Sequence, residues 1–599
     1  MNRTKDILTG IVIVFALAAS IMVAKPYFSR FLAMLGLQEG DPQSAAEEVL
    51  VSMRDGVNLY TEIYRPGDGQ YPVVLTRGYG PGSMKDAQRF TQAGYVYVGQ
   101  STRGHGRSEG AQGVRNRFFN DAQDGYDTLT WISQQPWCNG AIAMYGKSYW
   151  GATQWLVAPE QHPNLKAIIP QNINADLWQC GYWCNGALSY AMTASGRAFD
   201  RSDWPVINNI GWQNYFRHVP LITLDEIVND VGATGAAGLW RDYVSHSTFD
   251  DYWKAISIRG DGGDDKYSRI TIPVYLMGGW YDYYSGAAFT SFQRLREVDA
   301  TDEIRVVIDP SDHLNRVVGD RDFGTGLGRD AGKDEVALAI RWLDYVLKGI
   351  DNGMADEPPI QIFVMGTNIW RGDDEWPLAR TQFTKYYFRS PNGMRLGFLS
   401  TDPPGDEEPT VYIYDPDDPV PTLGGNHSYW DDNITEIIRA GAVDQRPIEQ
   451  RNDVLVFTSD TLAEDTEVTG PIQVKLYAAS SARDTDFTAK LIDVYPDGTA
   501  YNLTEGIIRA RFRESIWDPP KLLVPGEVYE YTLHLLPTSN VFKRGHRIRV
   551  HLTSSNFPLW NRNPNTGNDP ATDVEMYRAE QTIYHDREHP SHIILPIVR

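Results

Sequence analysis

The segment Gly146-Lys147-Ser148-Tyr149-Trp150-Gly151 sets a serine among small residues directly after an apolar run at 142–145. A serine hydroxyl is a weak nucleophile. It attacks a carbonyl carbon when a neutral imidazole takes its proton and a carboxylate fixes the tautomer of that imidazole. Two further segments carry those groups. Asp282 closes Gly278-Gly279-Trp280-Tyr281-Asp282, and His313 closes Asp309-Pro310-Ser311-Asp312-His313. Serine, acid and histidine in that chain order read as a nucleophile, an orienting carboxylate and a general base for acyl transfer. Asp312 is the nearest rival for the acid, but adjacent side chains point apart. His105 is the only other histidine in an early loop of this part of the chain.

These residues need elements to bring them together. Apolar runs at 71–76, 95–99, 142–145, 165–170, 272–277 and 304–308 read as strands. Helical spacing is present at 87–93, 121–133, 150–157 and 335–348, the last with Lys348 in its final turn and Gly349 beyond. Strands alternating with helices predict a mostly parallel sheet covered on both faces. Ser148, Asp282 and His313 each lie just past a strand, and in a parallel sheet those ends share one edge, where ligands bind. A serine on a tight strand-to-helix turn completes the pattern of an α/β-hydrolase core. The second glycine of the general elbow motif falls one residue late here, at Gly151.

Residues 176–269, rich in Trp, Tyr and Gly, interrupt the alternation and are too long for an ordinary connection. They read as an inserted helical cap. After Pro358-Pro359 short strands recur with turn signals between them, at 360–364, 382–388, 454–458, 472–478, 529–535 and 548–552. That is an all-β sandwich or jelly roll. The expected organisation is 45–175 with 270–355 as the catalytic unit, 176–269 as the cap and 356–599 as the β unit.

At 599 residues the chain exceeds a single hydrophobic core. A formal net charge of -22 repels phosphate backbones and speaks against nucleic acid as a partner. The three cysteines, Cys138, Cys180 and Cys184, lack metal-binding spacing. Cys180 and Cys184 are close enough to pair or to remain two buried thiols. No Walker loop or dinucleotide fingerprint is evident, so no metal or other cofactor is expected. Arg3 and Lys5 precede an apolar run at 7–24 that Lys25-Pro26 ends. Residues 1–30 therefore read as a secretory signal or a single membrane anchor, with the rest exported and either released or tethered. Oligomeric state cannot be read from the sequence.

Several segments in order carry a resemblance. They are Arg54-Asp-Gly-Val-Asn-Leu59, Thr102-Arg-Gly-His-Gly-Arg-Ser-Glu-Gly110, Asp124-Gly-Tyr-Asp127, Gln135-Pro-Trp-Cys-Asn-Gly140, Met144-Tyr-Gly-Lys-Ser-Tyr-Trp-Gly151, Gly279-Trp-Tyr-Asp282, Gly319-Asp-Arg-Asp-Phe-Gly324 and Phe363-Val-Met-Gly-Thr-Asn-Ile-Trp-Arg371. From about residue 50 onward the chain resembles the family of cocaine esterase, glutaryl-cephalosporin acylases and Xaa-Pro dipeptidyl-peptidases. In that family Gly-x-Ser-Tyr-x-Gly is the usual elbow. The resemblance implies an α/β-hydrolase core, a helical cap and a C-terminal jelly roll. It also implies an oxyanion hole made by the N–H of Tyr149 and the hydroxyl of Tyr79, although the segment around Tyr79 is one residue shorter than the family usually has. Relatives that act on α-amino acyl esters carry acidic residues directly after the aspartate; here Tyr283-Tyr284-Ser285 follow. Trp178, Tyr182 and Trp183 either line an acyl pocket or pack the cap. The expected function is an acyl-enzyme hydrolase of small esters or amides. An Xaa-Pro dipeptidyl-peptidase acting on short peptides is the first alternative, and an inactive hydrolase scaffold used for surface binding is the second.

Overall fold

The computed structural model describes residues 46–110, 118–197, 204–229, 237–259, 265–325, 328–329, 332–429 and 432–599. The signal or anchor expected at 1–30 lies outside them. Among the described residues no helix is long and apolar enough to cross a membrane.

A ten-stranded sheet forms the first layer. Its strands are β1 (Glu47–Ser52), β2 (Asn58–Tyr64), β3 (Tyr71–Gly78), β4 (Val96–Ser101), β5 (Cys138–Lys147), β6 (Leu165–Gln171), β7 (Val274–Gly279), β8 (Ile304–Asp309), β9 (Ile360–Val364) and β10 (Ile369–Asp373). Their order across the sheet is β1-β2-β4-β3-β5-β6-β7-β8-β9-β10. From β4 to β9 every neighbouring pair is parallel, and only β1, β2 and β10 run against their neighbours. The central strands are buried on both faces, which is why they read as unbroken apolar runs.

Helices α1 (Met84–Gln92), α2 (Asp121–Ser133), α3 (Tyr149–Val157), α4 (Ser285–Val298) and α5 (Glu335–Lys348) cover the sheet. The start and stop signals of α5 act as expected. Asp334 accepts from the Ala337 N–H at one end, and Gly349 takes φ 65° at the other. Its face of Val336, Ala339, Trp342 and Leu343 is buried against the sheet, where Trp342 packs on Tyr275.

Between β6 and β7 the chain forms short helices, among them Trp212–Phe216, Ala237–Ser245 and Asp251–Ala255. Their aromatic side chains are buried together. An eleven-stranded assembly follows, from Thr381–Arg389 to His592–Val598. It is antiparallel except where Leu396–Ser400 runs alongside Leu455–Thr458. The strand 360–364, expected in this β unit, is instead β9 of the first sheet, paired in parallel with β8. Sequence periodicity cannot make that distinction, because a short apolar strand looks the same on either side of a sheet boundary.

Candidate active site

Ser148 sits between β5 and α3 with φ 57° and ψ -122°. Such a backbone costs a non-glycine residue about 1–3 kcal/mol and persists only where its surroundings hold it. The surroundings are crowded. A Cβ on Gly146 would lie 2.5 Å from the Cβ of Trp150, and one on Gly151 would lie 2.7 Å from Ile173 Cγ2 and 3.1 Å from the Gly146 carbonyl oxygen. A Cβ on Gly78, at the end of β3, would lie 2.7 Å from the Trp150 indole. Trp150 therefore fills the room beside the elbow, and the late glycine at 151 is what lets the first turn of α3 close on β5.

The end of β6 ties the elbow to the histidine. The Ser148 N–H donates to the Gln171 carbonyl (2.8 Å), and the next residue, Asn172, donates through Nδ2 to the His313 carbonyl (3.2 Å). Asn172 N–H also donates to the Met277 carbonyl of β7 (2.8 Å). The loops that carry Ser148, Asp282 and His313 thus meet at one rim of the sheet. His313 Nδ1 lies 3.2 and 3.1 Å from the two carboxylate oxygens of Asp282, and both residues are buried. Asp282 Oδ1 also accepts from the Tyr284 N–H (3.1 Å), which fixes the carboxylate. With Nδ1–H given to the aspartate, the imidazole presents its Nε2 lone pair as the basic site.

Asp312 is spent elsewhere. Its Oδ2 binds the Arg316 guanidinium (2.6 Å), and its Oδ1 accepts the N–H groups of Leu314 and Arg316. Below the histidine loop Asp309 pairs with buried Lys333 (3.2 Å) and accepts from Ser311 Oγ (2.5 Å). Burial pushes the Asp309 carboxyl up, but the Lys333 ammonium and these hydrogen bonds outweigh it and hold the group below the usual carboxylate range. His105 packs on both Tyr79 and Tyr149, its Nδ1 3.0 Å from the Arg103 carbonyl and 3.1 Å from Thr102 Oγ1.

Tyr79 follows β3 directly. Its ring packs on Tyr149 (centroids 4.8 Å apart), on Trp150 (5.2 Å) and on His105 (5.2 Å). Both residues expected to form the oxyanion hole therefore lie beside the elbow. Among the described residues the three cap aromatics pack on other rings. Trp178, Tyr182 and Trp183 are between 1 and 2 % exposed. The Tyr182 hydroxyl donates to that of Tyr243 (2.9 Å), the Trp183 indole N–H donates to the Tyr243 carbonyl (3.2 Å), and Trp178 packs on Trp183 and Trp253. The tips of Tyr182 and Trp183 are satisfied inside the cap, while the buried Trp178 indole N–H has no hydrogen-bond partner among the described residues, and burial of all three rings favours the packing alternative. Tyr182 approaches the rim through Phe118, whose ring packs on both it and Tyr149.

A cavity of about 310 Å³ opens instead beside the two tyrosines that follow Asp282. Tyr283 stacks on the His313 ring (4.8 Å, 24°) and Tyr284 packs on both. Phe289, Trp376 and Trp517 form much of the remaining wall, with Asp176 at one side. Burial raises the Asp176 carboxyl to about 6, while the Trp178 N–H and Arg259 pull it back only in part. The sequence placed Tyr283 next to the acid but gave no signal that its ring would cover the histidine. Cys180 also lines this cavity; it and Cys184 are free thiols with sulfurs 2.8 Å apart. Among the described residues no cluster of His, Cys, Asp or Glu could hold a metal ion.

The strand order, the elbow at the end of β5 and the covering helices define an α/β-hydrolase. Comparison with known proteins carries this further. Residues 55–315 match the model of the X-Pro dipeptidyl-peptidase (S15) family, and residues 352–594 match that of the X-Pro dipeptidyl-peptidase C-terminal non-catalytic domain. The chain is 37% identical to cocaine esterase from Rhodococcus sp. (strain MB1 Bresler), over 93% of this chain and 99% of that protein. Among solved structures it is similar to an α-amino acid ester hydrolase, with 25% identity, a TM-score of 0.76 and coverage of 93% and 98%. It is similar also to an aminopeptidase from the marine sediment archaeon Thaumarchaeota archaeon, with 25% identity, a TM-score of 0.75 and coverage of 94% and 98%. The chain belongs to the cocaine esterase and Xaa-Pro dipeptidyl-peptidase-like family, and it is a serine hydrolase of that family.

Proposed function

We propose that the chain cleaves carboxylic esters with an apolar or aromatic acyl group through an acyl-enzyme on Ser148. The observation that carries this is the strained backbone of Ser148 at the rim where His313 is held against Asp282. His313 takes the hydroxyl proton as Ser148 attacks the acyl carbon, and Asp282 stabilises the imidazolium that forms. The N–H of Tyr149 and the hydroxyl of Tyr79 receive the negative charge on the carbonyl oxygen. His313 returns the proton to the departing alcohol, and a water molecule repeats the sequence to free the acid. The relative named cocaine esterase and the aromatic wall beside Tyr283 favour an aromatic ester. A fluorophosphonate probe is expected to label the wild type and fail on Ser148→Ala. Labelling that survives in the variant refutes the assignment.

One observation favours a dipeptidyl-peptidase reading. Asp176, at the start of the cap, is an acidic group in the wall of the cavity beside Tyr283 and could face a substrate ammonium. If it does, Asp176→Asn lowers turnover of a Gly-Pro anilide while sparing a phenyl ester. Faster cleavage of the phenyl ester, unchanged by that substitution, supports the esterase. The apolar run at 7–24 behind Arg3 and Lys5 supports export with release or tethering to a membrane. Fractionation of cells producing the full chain tests this, and activity confined to the cytoplasm rejects it.

A further inference from the structure

Two donors form an oxyanion hole only if both point at one oxygen, and here they come from different elements. Tyr79 follows β3, and Tyr149 opens α3. One buried chain of polar groups joins these elements. Arg77, two residues before Tyr79, is fully buried; its Nε donates to Gln100 Oε1 (2.8 Å) and its Nη1 to the Asp121 carbonyl (3.0 Å). Its Nη2 lies 3.8 Å from Asp121 Oδ1. The other carboxylate oxygen of Asp121 accepts from the Phe118 N–H (3.1 Å) and from the Tyr149 hydroxyl (2.8 Å). The same hydroxyl lies 3.1 Å from Thr102 Oγ1, which donates to the Gly78 carbonyl (3.1 Å), and Thr153 Oγ1 of α3 donates to the Arg77 carbonyl (3.0 Å). The Tyr149 side chain is thus gripped at its tip by a charge pair anchored on the strand that presents Tyr79.

We propose that Asp121, braced by Arg77, is a positioning residue that aims the Tyr149 N–H and the Tyr79 hydroxyl at a common oxygen by holding the Tyr149 phenol. This rests on the acyl-enzyme reading above. Neither Asp121 nor Arg77 touches substrate; each acts through Tyr149. Adjacent charges are often no more than a clamp between a helix and a sheet, so the test must separate geometry at the oxygen from general stability.

Tyr149→Phe removes the hydroxyl and keeps the N–H. The decisive comparison is a phenyl ester with its thiono counterpart, in which sulfur replaces the carbonyl oxygen and accepts hydrogen bonds poorly. With the phenol unanchored, kcat on the oxygen ester is expected to fall on the order of tenfold, short of the 10²–10³ that outright loss of a donor costs. KM should stay within about twofold, and the preference for oxygen over sulfur should shrink by the same factor as kcat. Asp121→Asn should move the same ratio in the same direction. If Asp121→Asn does not fold, Tyr149→Phe with an unchanged melting temperature decides alone. An unaltered oxygen-to-sulfur preference in Tyr149→Phe, whether both rates hold or both fall together, overturns the proposal. Fluorophosphonate labelling of wild-type Ser148 in the same preparation separates that result from a failure of the acyl-enzyme reading.

Discussion

The rim of the first sheet and the interior of the cap are built from similar residues, tyrosines and tryptophans set among glycines, yet they use them in opposite ways. At the rim, aromatic rings pack around polar groups that stand at strand ends. Tyr79, Tyr149 and Trp150 crowd the elbow, and Tyr283 covers His313. In the cap the rings pack on one another, and the tips of Tyr182 and Trp183 are met internally, by the Tyr243 hydroxyl and the Tyr243 carbonyl. What separates the two is the backbone. At the rim it ends parallel strands and takes a costly conformation at Ser148, whereas in the cap it turns through short helices that bring ring against ring. An aromatic residue is therefore evidence of a site only when a strand end delivers a polar group beside it.

That contrast predicts loss of turnover without loss of stability at the rim, and the reverse in the cap. The largest effect belongs to Ser148→Ala. Its kcat on a phenyl ester should drop by about 10⁶, with a melting temperature close to that of wild type, since a φ of 57° strains alanine as it strains serine. Asp282→Asn should cost on the order of 10⁴ in kcat, because the imidazole loses its tautomer and not its place. In the cap, Trp178→Ala should destabilise by about 3–5 kcal/mol in urea unfolding while KM stays within about twofold. A KM that rises far more than that returns Trp178 to the substrate pocket and breaks the comparison.

A group below the rim sharpens it. Lys333→Met strands the buried Asp309 carboxylate and should cost about 3–5 kcal/mol at pH 7. In the wild type the Asp309 carboxyl lies below its ordinary value, so its contribution is present at neutral pH and lost as the pH falls through that lowered value. In the variant it keeps its hydrogen bonds but loses the cation, and takes up a proton more readily when folded. The gap between variant and wild type should therefore narrow from pH 7 to pH 4. The smallest effect is Tyr182→Phe, about 1 kcal/mol of stability with no change in turnover.

The sequence shows the rim and its helices clearly. Residues 121–133 and 335–348 are helices over the expected spans, since apolar spacing marks both and end signals mark the second. The places of Ser148, Asp282 and His313 beyond strand ends were legible because each follows a buried apolar run, and such runs stand out without any partner being known. Less could be read where the outcome depends on contacts distant in the chain. Tyr283 covers His313 only because α4 begins beside the loop after β8. The inward turn of Trp178 and Trp183 depends on Trp253 and Tyr243, which lie far along the chain in the last part of the cap. The placement of β9 depends on which edge is open when the chain arrives, and composition carries no trace of that.

β9 also limits how this protein can be taken apart. A cut near residue 355, where the character of the sequence changes, would leave β8 as a bare edge of backbone donors and acceptors, the kind of surface along which copies stick together. It would also remove the Phe363 carbonyl that receives the Trp280 indole N–H (2.7 Å), two residues before Asp282. A hydrolase half meant to stand alone must keep the β9–β10 hairpin and be severed after Asp373, in the stretch that leads to Thr381.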